Sequence, residues 1–434
     1  MRITILAAGS RGDVQPYVAL GTGLRAAGHT VRVATHAMFE DLVRQSGLEF
    51  ALVESNPQAI LDQIRLESGR NPIRVLRKMV RLCVPLVART LDECWHACQG
   101  AEAIVSPLAA PGALDIAEKL GVPVYLADLK PKRRSRYYPA LFFPRLPLGS
   151  ALSPVYNRLT HAIIRGIARG MGGRVMAAVS RWRIETLGLP ARSTAEFLRA
   201  RDRVPTLYAV SPTVFPRPLD WPAWVYVTGY WFLDQAESWQ APPEIDAFLA
   251  AGPPPVYIGF GSMRGRDPAA TTAIVVEALS RAGQRGVLLT GWGGLDQAAM
   301  ARAVAAHGGA VLAVTTVPHD WLFPRMAAVF HHGGAGTTAA GLRAGVPSAA
   351  LPFFGDQLYW GAMLARFGVG PRPILQKRLT ASRLAEAITR AVTDPDMRAR
   401  AAAMGKHIRA EDGVGTAVAV LHRLLPCHGT PPGS

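Results

Sequence analysis

Residues 329–357 read VFHHGGAGTTAAGLRAGVPSAALPFFGDQ, from Val329 to Gln357. The run parses as an alternating unit. Met326 to Phe330 predicts a short apolar strand, and His331 to Gly336 a tight glycine-rich turn. Thr337 to Ala344 predicts a short helix, stopped by Gly345 and Pro347. Ser348 to Phe353 predicts a second buried strand, and Gly355-Asp356-Gln357 opens the next helix. Gly334 and Gly336 carry no Cβ, so backbone can approach a ligand closely there. The helix start offers unpaired N–H groups and the positive end of its dipole, which suits a phosphate. His332 and the hydroxyls of Thr337 and Thr338 add donors, while Asp356 and Gln357 offer an acceptor and an amide to sugar hydroxyls.

Two familiar phosphate fingerprints are missing: there is no GxxxxGK[ST], and no GxGxxG follows a strand in this stretch. Glycines alone would fit an ordinary strand-to-helix turn. The specific signal is the ordered set His-Gly-Gly, Thr-Thr, then Asp-Gln. That set resembles the donor-binding motif of the family 1 glycosyltransferases of GT-B fold. HHGGAGTTAAGLRAGVP followed by FFGDQ is most similar to the branch holding sterol glucosyltransferases and the bacterial enzymes that glycosylate glycopeptide and macrolide antibiotics.

The 434 residues allow two domains, and 49% hydrophobic with 18% charged residues suits globular cores. No apolar run reaches the ~20 residues of a spanning helix. The stretch ITILAA after Arg2 is too short for a signal sequence, so the reading expects a cytoplasmic protein. Cys94 and Cys98, with His96 between them, have no second Cys/His pair at ligand spacing and read as reduced thiols. The net charge is +17, and Lys130 to Arg183 holds twelve Lys or Arg with no Asp or Glu. Tyr137-Tyr138 and Leu141-Phe142-Phe143 lie within that span. A solvated basic face, a nucleic-acid surface and a membrane surface all fit this composition. With no nucleic-acid-binding motif present, the membrane reading is preferred over nucleic acid, as a peripheral contact at the inner membrane surface.

Along the chain, strand Ile3–Ala8, turn Gly9–Asp13, helix Val14–Ala27 and strand Thr30–Thr35 predict the opening of a doubly wound α/β domain. His29 reads as structural. Further strands are predicted at Glu49–Val53, Ala103–Ser106, Val122–Ala127 and Thr206–Val210. Two insertions, Pro57–Gln99 and Lys130–Leu187, read as largely helical walls of a variable pocket. Prolines from Pro216 to Pro255 predict a stiff interdomain linker over 216–255. A second α/β unit starts at Val256, with helices near its end and a terminal one at Gly415–Leu425. The expected architecture is α/β, with two doubly wound Rossmann-like domains facing each other across a cleft. The boundaries are 1–215 for an acceptor-binding domain and 256–434 for a donor-binding domain, whose terminal helix packs back toward the first.

Glycosyl transfer needs a base for the acceptor hydroxyl and stabilisation of the departing diphosphate. Gly9-Ser10-Arg11-Gly12-Asp13 follows a strand and opens a helix. Asp13 reads from position alone as a helix N-cap or a base facing the carboxyl end of the strand. GSRGDVQP resembles the GSRGD or GTRGD turn of the same branch, which implies that Asp13 is the general base and that Ser10 and Arg11 reach the diphosphate. Further matching segments are Gly259-Phe260-Gly261-Ser262-Met263, Gly291-Trp292 and Val317 to Pro324. The resemblance implies a diphosphate contact from Ser262, and a base held by Trp292 and the backbone near Val317. Many relatives that use UDP-sugars have a Glu in the helix after the phosphate turn; Ala340 stands there, which leaves UDP and dTDP both open.

The implied activity is an inverting, metal-independent transfer of a hexose, from UDP-glucose, to a lipophilic sterol, polyketide, macrolide or phenolic hydroxyl, with no cofactor beyond the nucleotide sugar. Three alternatives stand beside it: a dTDP-deoxysugar transferase, a GT-B sugar-nucleotide epimerase, and a non-catalytic partner of the same fold.

Overall fold

The computed structural model describes residues 1–54, 87–108, 110, 112–143, 145–146, 151–237, 239–261, 263, 267–290, 295–306 and 309–425. They fall into two compact units, Met1–Tyr138 with Gly149–Leu233 and Asp412–Ser434, and Pro139–Leu148 with Asp234–Glu411.

The first unit begins with strand β1 (Arg2–Leu6), helix α1 (Arg11–Ala26), β2 (Thr30–Thr35), α2 (Glu40–Gln45) and β3 (Glu49–Leu52). After the undescribed residues 55–86 come β4 (Ala103–Ser106), α3 (Ala113–Leu120), β5 (Val124–Asp128), α4 (Leu152–Glu185), α5 (Thr194–Arg203), β6 (Thr206–Tyr208) and β7 (Val225–Val227). The strands form one parallel sheet in the order β3-β2-β1-β4-β5-β6-β7 among the described residues. Central strands of such a sheet are covered on both faces, which explains why consecutive residues are buried, Ile3 to Leu6 in β1 and Ala103 to Ser106 in β4, rather than alternate ones. The order reverses between β1 and β4, and the turn after β1 sits at that point.

The second unit carries α6 (Pro243–Ala250), β8 (Val256–Gly259), α7 (Pro268–Arg281), β9 (Gly286–Leu289), α8 (Gln297–Ala306), β10 (Val311–Val314), α9 (His319–Leu322) and β11 (Ala328–His331). It continues with α10 (Ala335–Ala344), β12 (Ser348–Ala350), α11 (Gln357–Arg366), α12 (Ala381–Thr393) and α13 (Pro395–Arg409). Its parallel sheet runs β10-β9-β8-β11-β12, with Val256, Ile258, Phe260, Leu288, Phe330, Leu384 and Ile388 in the core. Here the order reverses between β8 and β11.

The last helix, α14 (Gly413–Leu424), belongs to the first unit. Ala417, Val420 and Leu421 join the core around α1, and Tyr125 donates to the Leu424 carbonyl at 2.7 Å. Gly23 leaves the space into which Val414 fits, since a Cβ there would collide with it.

The proline-rich stretch 216–255 is not a connector without secondary structure. It holds β7, which pairs with β6 at the sheet edge, and α6, whose Pro243 occupies the first turn. Proline is tolerated beside an edge strand and is pre-set for a helix start, so its density does not exclude either element. The division between the units falls instead at Leu233 and Asp234. A second difference concerns Pro139–Leu148, expected as part of a first-domain insertion: it belongs to the second unit. Most of the insertion at 57–99 lies outside the described residues; residues 87–97 are helical.

Candidate functional site

In the second unit, β11 ends at His331, one residue later than expected, and α10 starts at Ala335, two residues earlier. The turn is therefore His332-Gly333-Gly334. His331 is fully buried, and its Nδ1 accepts the Gly333 N–H at 3.0 Å. Burial, with His332 and His319 nearby, holds its imidazole well below the ordinary value, so it is a neutral acceptor that shapes the turn. Gly333 has φ +89°, and a Cβ there would lie 2.8 Å from the Gln357 carbonyl oxygen. Only glycine permits this approach, which brings the turn against the start of α11.

His332 lies over two glycines. A Cβ at Gly261, whose φ is +57°, would sit 2.9 Å from the ring, and a Cβ at Gly334 would run into Nε2. Gly261 follows β8 and His332 follows β11, so the ring stands where the strand order reverses, the place open α/β sheets use for ligands. Beside it, the N–H groups of Ala335, Gly336 and Thr337 occupy the first turn of α10, where a helix has no internal partner for them. Gly336 is exposed and Thr337 half-buried. Thr338 differs from the expected donor: it is fully buried, and its hydroxyl donates to the Gly334 carbonyl at 2.8 Å. It closes the first turn from inside, because the fourth helical position points into the core.

Asp356 stands at the N-terminal boundary of α11 without a side-chain capping bond, and its Oδ2 accepts the Trp360 indole N–H at 3.1 Å. Gln357 is buried, and its Oε1 accepts the N–H groups of Phe353 at 2.7 Å and Phe354 at 3.3 Å. That leaves its amide nitrogen as the donor end of the side chain. Val317, after β10, is buried with Val314 and Trp321, which leaves its backbone as its polar contribution. Ser262 and Trp292 lie outside the described residues. Ala340 packs partly buried against the same cluster as Val317. Phe142, from the Pro139–Leu148 segment, touches the position of Gly355 with its ring edge 3.6 Å from a Cβ built there. No local pattern could have placed residue 142 beside residue 355.

In the first unit, Ser10 caps α1 and Asp13 occupies its third position. Ser10 donates to Asp13 Oδ2 twice, from its backbone N–H at 3.0 Å and its hydroxyl at 2.8 Å, so Oδ1 is the oxygen Ser10 does not engage. Gly9, at φ +135°, leaves room for this carboxylate; a Cβ would stand 2.7 Å from Oδ2. Arg11 is exposed, with Nε donating to Gln15 Oε1 at 3.2 Å. The Gly9 N–H donates to His36 Nε2 at 3.0 Å, while His36 Nδ1 meets the Val53 carbonyl at 3.0 Å. Reading the sequence passed over His36; its only signal was a polar ring at the carboxyl end of a buried strand beside the turn.

Among the described residues, no three His, Cys, Asp or Glu side chains gather as a metal-binding group. Cys94 and Cys98 are free and buried, and burial raises the Cys94 thiol to about 12.

Two family models match the chain: the glycosyltransferase family 28 N-terminal domain over residues 3–139, and the erythromycin biosynthesis protein CIII-like C-terminal domain over residues 295–420. A sterol 3-beta-glucosyltransferase of Emericella nidulans is 38% identical over 432 residues, covering 98% of this chain and 30% of the relative. The chain thus spans about a third of the length of the curated relatives it matches. Among solved structures, the calicheamicin glycosyltransferase CalG4 superposes with a TM-score of 0.69 at 18% identity, covering 98% of this chain and all of the other. The glycosyltransferase VinC, in complex with dTDP, gives 0.65 at 19% identity, covering 98% and 99%.

Proposed function

The chain belongs to the family 1 glycosyltransferases of GT-B fold, and from that membership we propose that it transfers glucose from UDP-glucose to a hydroxyl of a lipophilic small molecule. The observation that carries this reading is the junction in the second unit. There His332, the glycine at 261, the open first turn of α10 and the Asp356–Gln357 pair meet at the strand-order reversal. A diphosphate needs concentrated donors without bulk, and a hexose beside it needs an acceptor and a donor.

In this reading the reaction is a single displacement with inversion. Asp13, through Oδ1, takes the proton of the acceptor hydroxyl as that oxygen attacks the anomeric carbon. The bond to the nucleoside diphosphate breaks, and its charge is met by His332, Thr337, the N–H groups near Gly336, and Ser262, with Ser10 and Arg11 as further contacts. Asp356 and Gln357 hold the sugar, and Trp292 and Val317 the nucleotide base. Charge on the leaving group is met by protein donors, so the proposal includes no metal and no cofactor beyond the nucleotide sugar. The sterol 3-beta-glucosyltransferase relatives support glucose as the sugar and a sterol-like alcohol as the acceptor. Ala340 does not select between UDP and dTDP, so transfer of a dTDP-deoxysugar, the nucleotide type that VinC was solved with, is the second reading.

The test is calorimetric titration with UDP-glucose and with a dTDP-sugar, followed by incubation of each with sterols, polyketides and phenols and detection by mass. A gain of one hexose from UDP-glucose, undiminished by a chelator, is expected. Turnover with dTDP-sugars alone selects the second reading, and binding of neither nucleotide removes both. Asp13→Asn is expected to lower kcat by about 100- to 10,000-fold with donor affinity unchanged; wild-type turnover in that variant would reassign Asp13 as a cap.

A further inference from the structure

Helix α4 is held in the first unit along one side and bare along another. Asn157 Nδ2 donates to the Arg136 carbonyl at 2.8 Å, His161 Nε2 meets the Tyr138 carbonyl at 3.1 Å, and Thr160 is buried between them. Burial lowers His161 below its ordinary value, so the neutral ring donates through Nε2. At the far end, Val179 and Trp182 enter the core and Arg183 is buried against Asp115. On the outer side, Leu152, Val155, Leu159, Ile163 and Ile167 are 41–62% exposed. Their spacing of three and four residues puts them on one face, extending about 22 Å along the axis. Arg158 and Arg165, both exposed, follow one edge of that stripe.

We propose that this face of α4 docks the protein on an anionic lipid bilayer. Two properties select that occupant. Charge complementarity comes first: the exposed Arg158 and Arg165 edge the stripe, and the sequence from residue 130 to 183 holds no Asp or Glu to oppose them. Asp220, an acid whose charge reaches His161, is taken up by the Arg136 N–H at 2.7 Å and the Ser135 hydroxyl at 2.9 Å. Form comes second. Among the described residues no helix is long and apolar enough to cross a membrane, while an apolar stripe edged by arginines suits a helix lying in the headgroup plane. The bilayer accepts the apolar side chains, and its phosphates neutralise the arginines.

The experiment is co-sedimentation of the full chain with vesicles of phosphatidylcholine alone and of phosphatidylcholine with phosphatidylglycerol in equal parts. Binding to the mixed vesicles only is expected. Leu159→Asp with Ile163→Asp, and separately Arg158→Glu with Arg165→Glu, are each expected to weaken it about tenfold or more. Both pairs alter exposed positions, and unchanged melting and donor binding show that the fold is kept. The proposal is overturned by binding to neither vesicle, by equal binding to both, or by undiminished binding of the Asp pair. It is also overturned if the wild type sediments as a dimer that the Asp pair converts to monomer, since a second copy then covers the stripe. None of these outcomes depends on which sugar or acceptor the protein uses.

Discussion

His36 follows the buried strand β2, and both its ring nitrogens are committed to backbone groups. Because Nε2 accepts the Gly9 N–H, the proton sits on Nδ1 and points at the Val53 carbonyl. The backbone thus selects one tautomer, and that tautomer fixes the turn carrying Ser10 and Asp13. His36→Ala leaves the Gly9 N–H unpaired, at a cost of about 1–3 kcal/mol. The expected result is a fall in kcat of about tenfold or more with nucleotide affinity unchanged, and partial rescue by His36→Gln, whose Oε1 can accept the same N–H. Equal loss in Ala and Gln variants would make His36 a packing residue only. The glycines and Asp13 were readable in advance because their chemistry is local: a turn needs them where they stand. His36 was not, because its role depends on which strand lies beside β1. Thr338 misled for a related reason, since a hydroxyl at a helix start looks outward until the helix register is known.

Buried charge fastens α4 to its neighbours. Arg183 meets Asp115 and Glu118, each at 2.6 Å, and Arg192 reaches the same two carboxylates. Burial raises the Asp115 carboxyl above its usual value, and the two arginines oppose that shift. Removing one partner strands the other, so Arg183→Met is expected to destabilise the first unit by about 3 kcal/mol in urea denaturation. Arg281→Ala, which breaks a half-exposed pair with Glu277, should cost less than about 1 kcal/mol. A different contact joins α14 to the turn after α1: His29 and His422 meet through Nε2 at 2.7 Å. Burial first, then the amino terminus and His422, lower His29 below its ordinary value. A lowered folded value means the contribution is present above about pH 6.5 and is lost as pH falls through that lower value. The melting temperature should fall on acidification from about pH 8 to about pH 5.5, and His422→Leu should flatten this dependence. Strands and helices followed from apolar runs and stop signals, whereas β7 and α6 were hidden by prolines that end elements as readily as they separate domains.

Each unit shows the same strand-order reversal beside its first glycine turn, and alternation of strand and helix was enough to expect both sheets. Which chain segments complete which unit was not legible, since residues 139–148 and 412–434 join units remote from their sequence neighbours. Removing residues 412–425 should therefore uncover the α1 face that Ala417, Val420 and Leu421 fill. The expected outcome is loss of the first unit's cooperative melting while nucleotide still raises the melting of the second, followed by calorimetry. Loss of nucleotide binding instead would place α14 in the stability of the second unit. The interleaving also bears on synthesis. The ribosome releases the whole of the second unit before α14 emerges, so the half of the chain made first is the last to close. A nascent chain from which Glu411 has emerged while α14 is still inside the ribosome would already shield the second unit's sheet from proteases. The older sheet would still be waiting for its final helix.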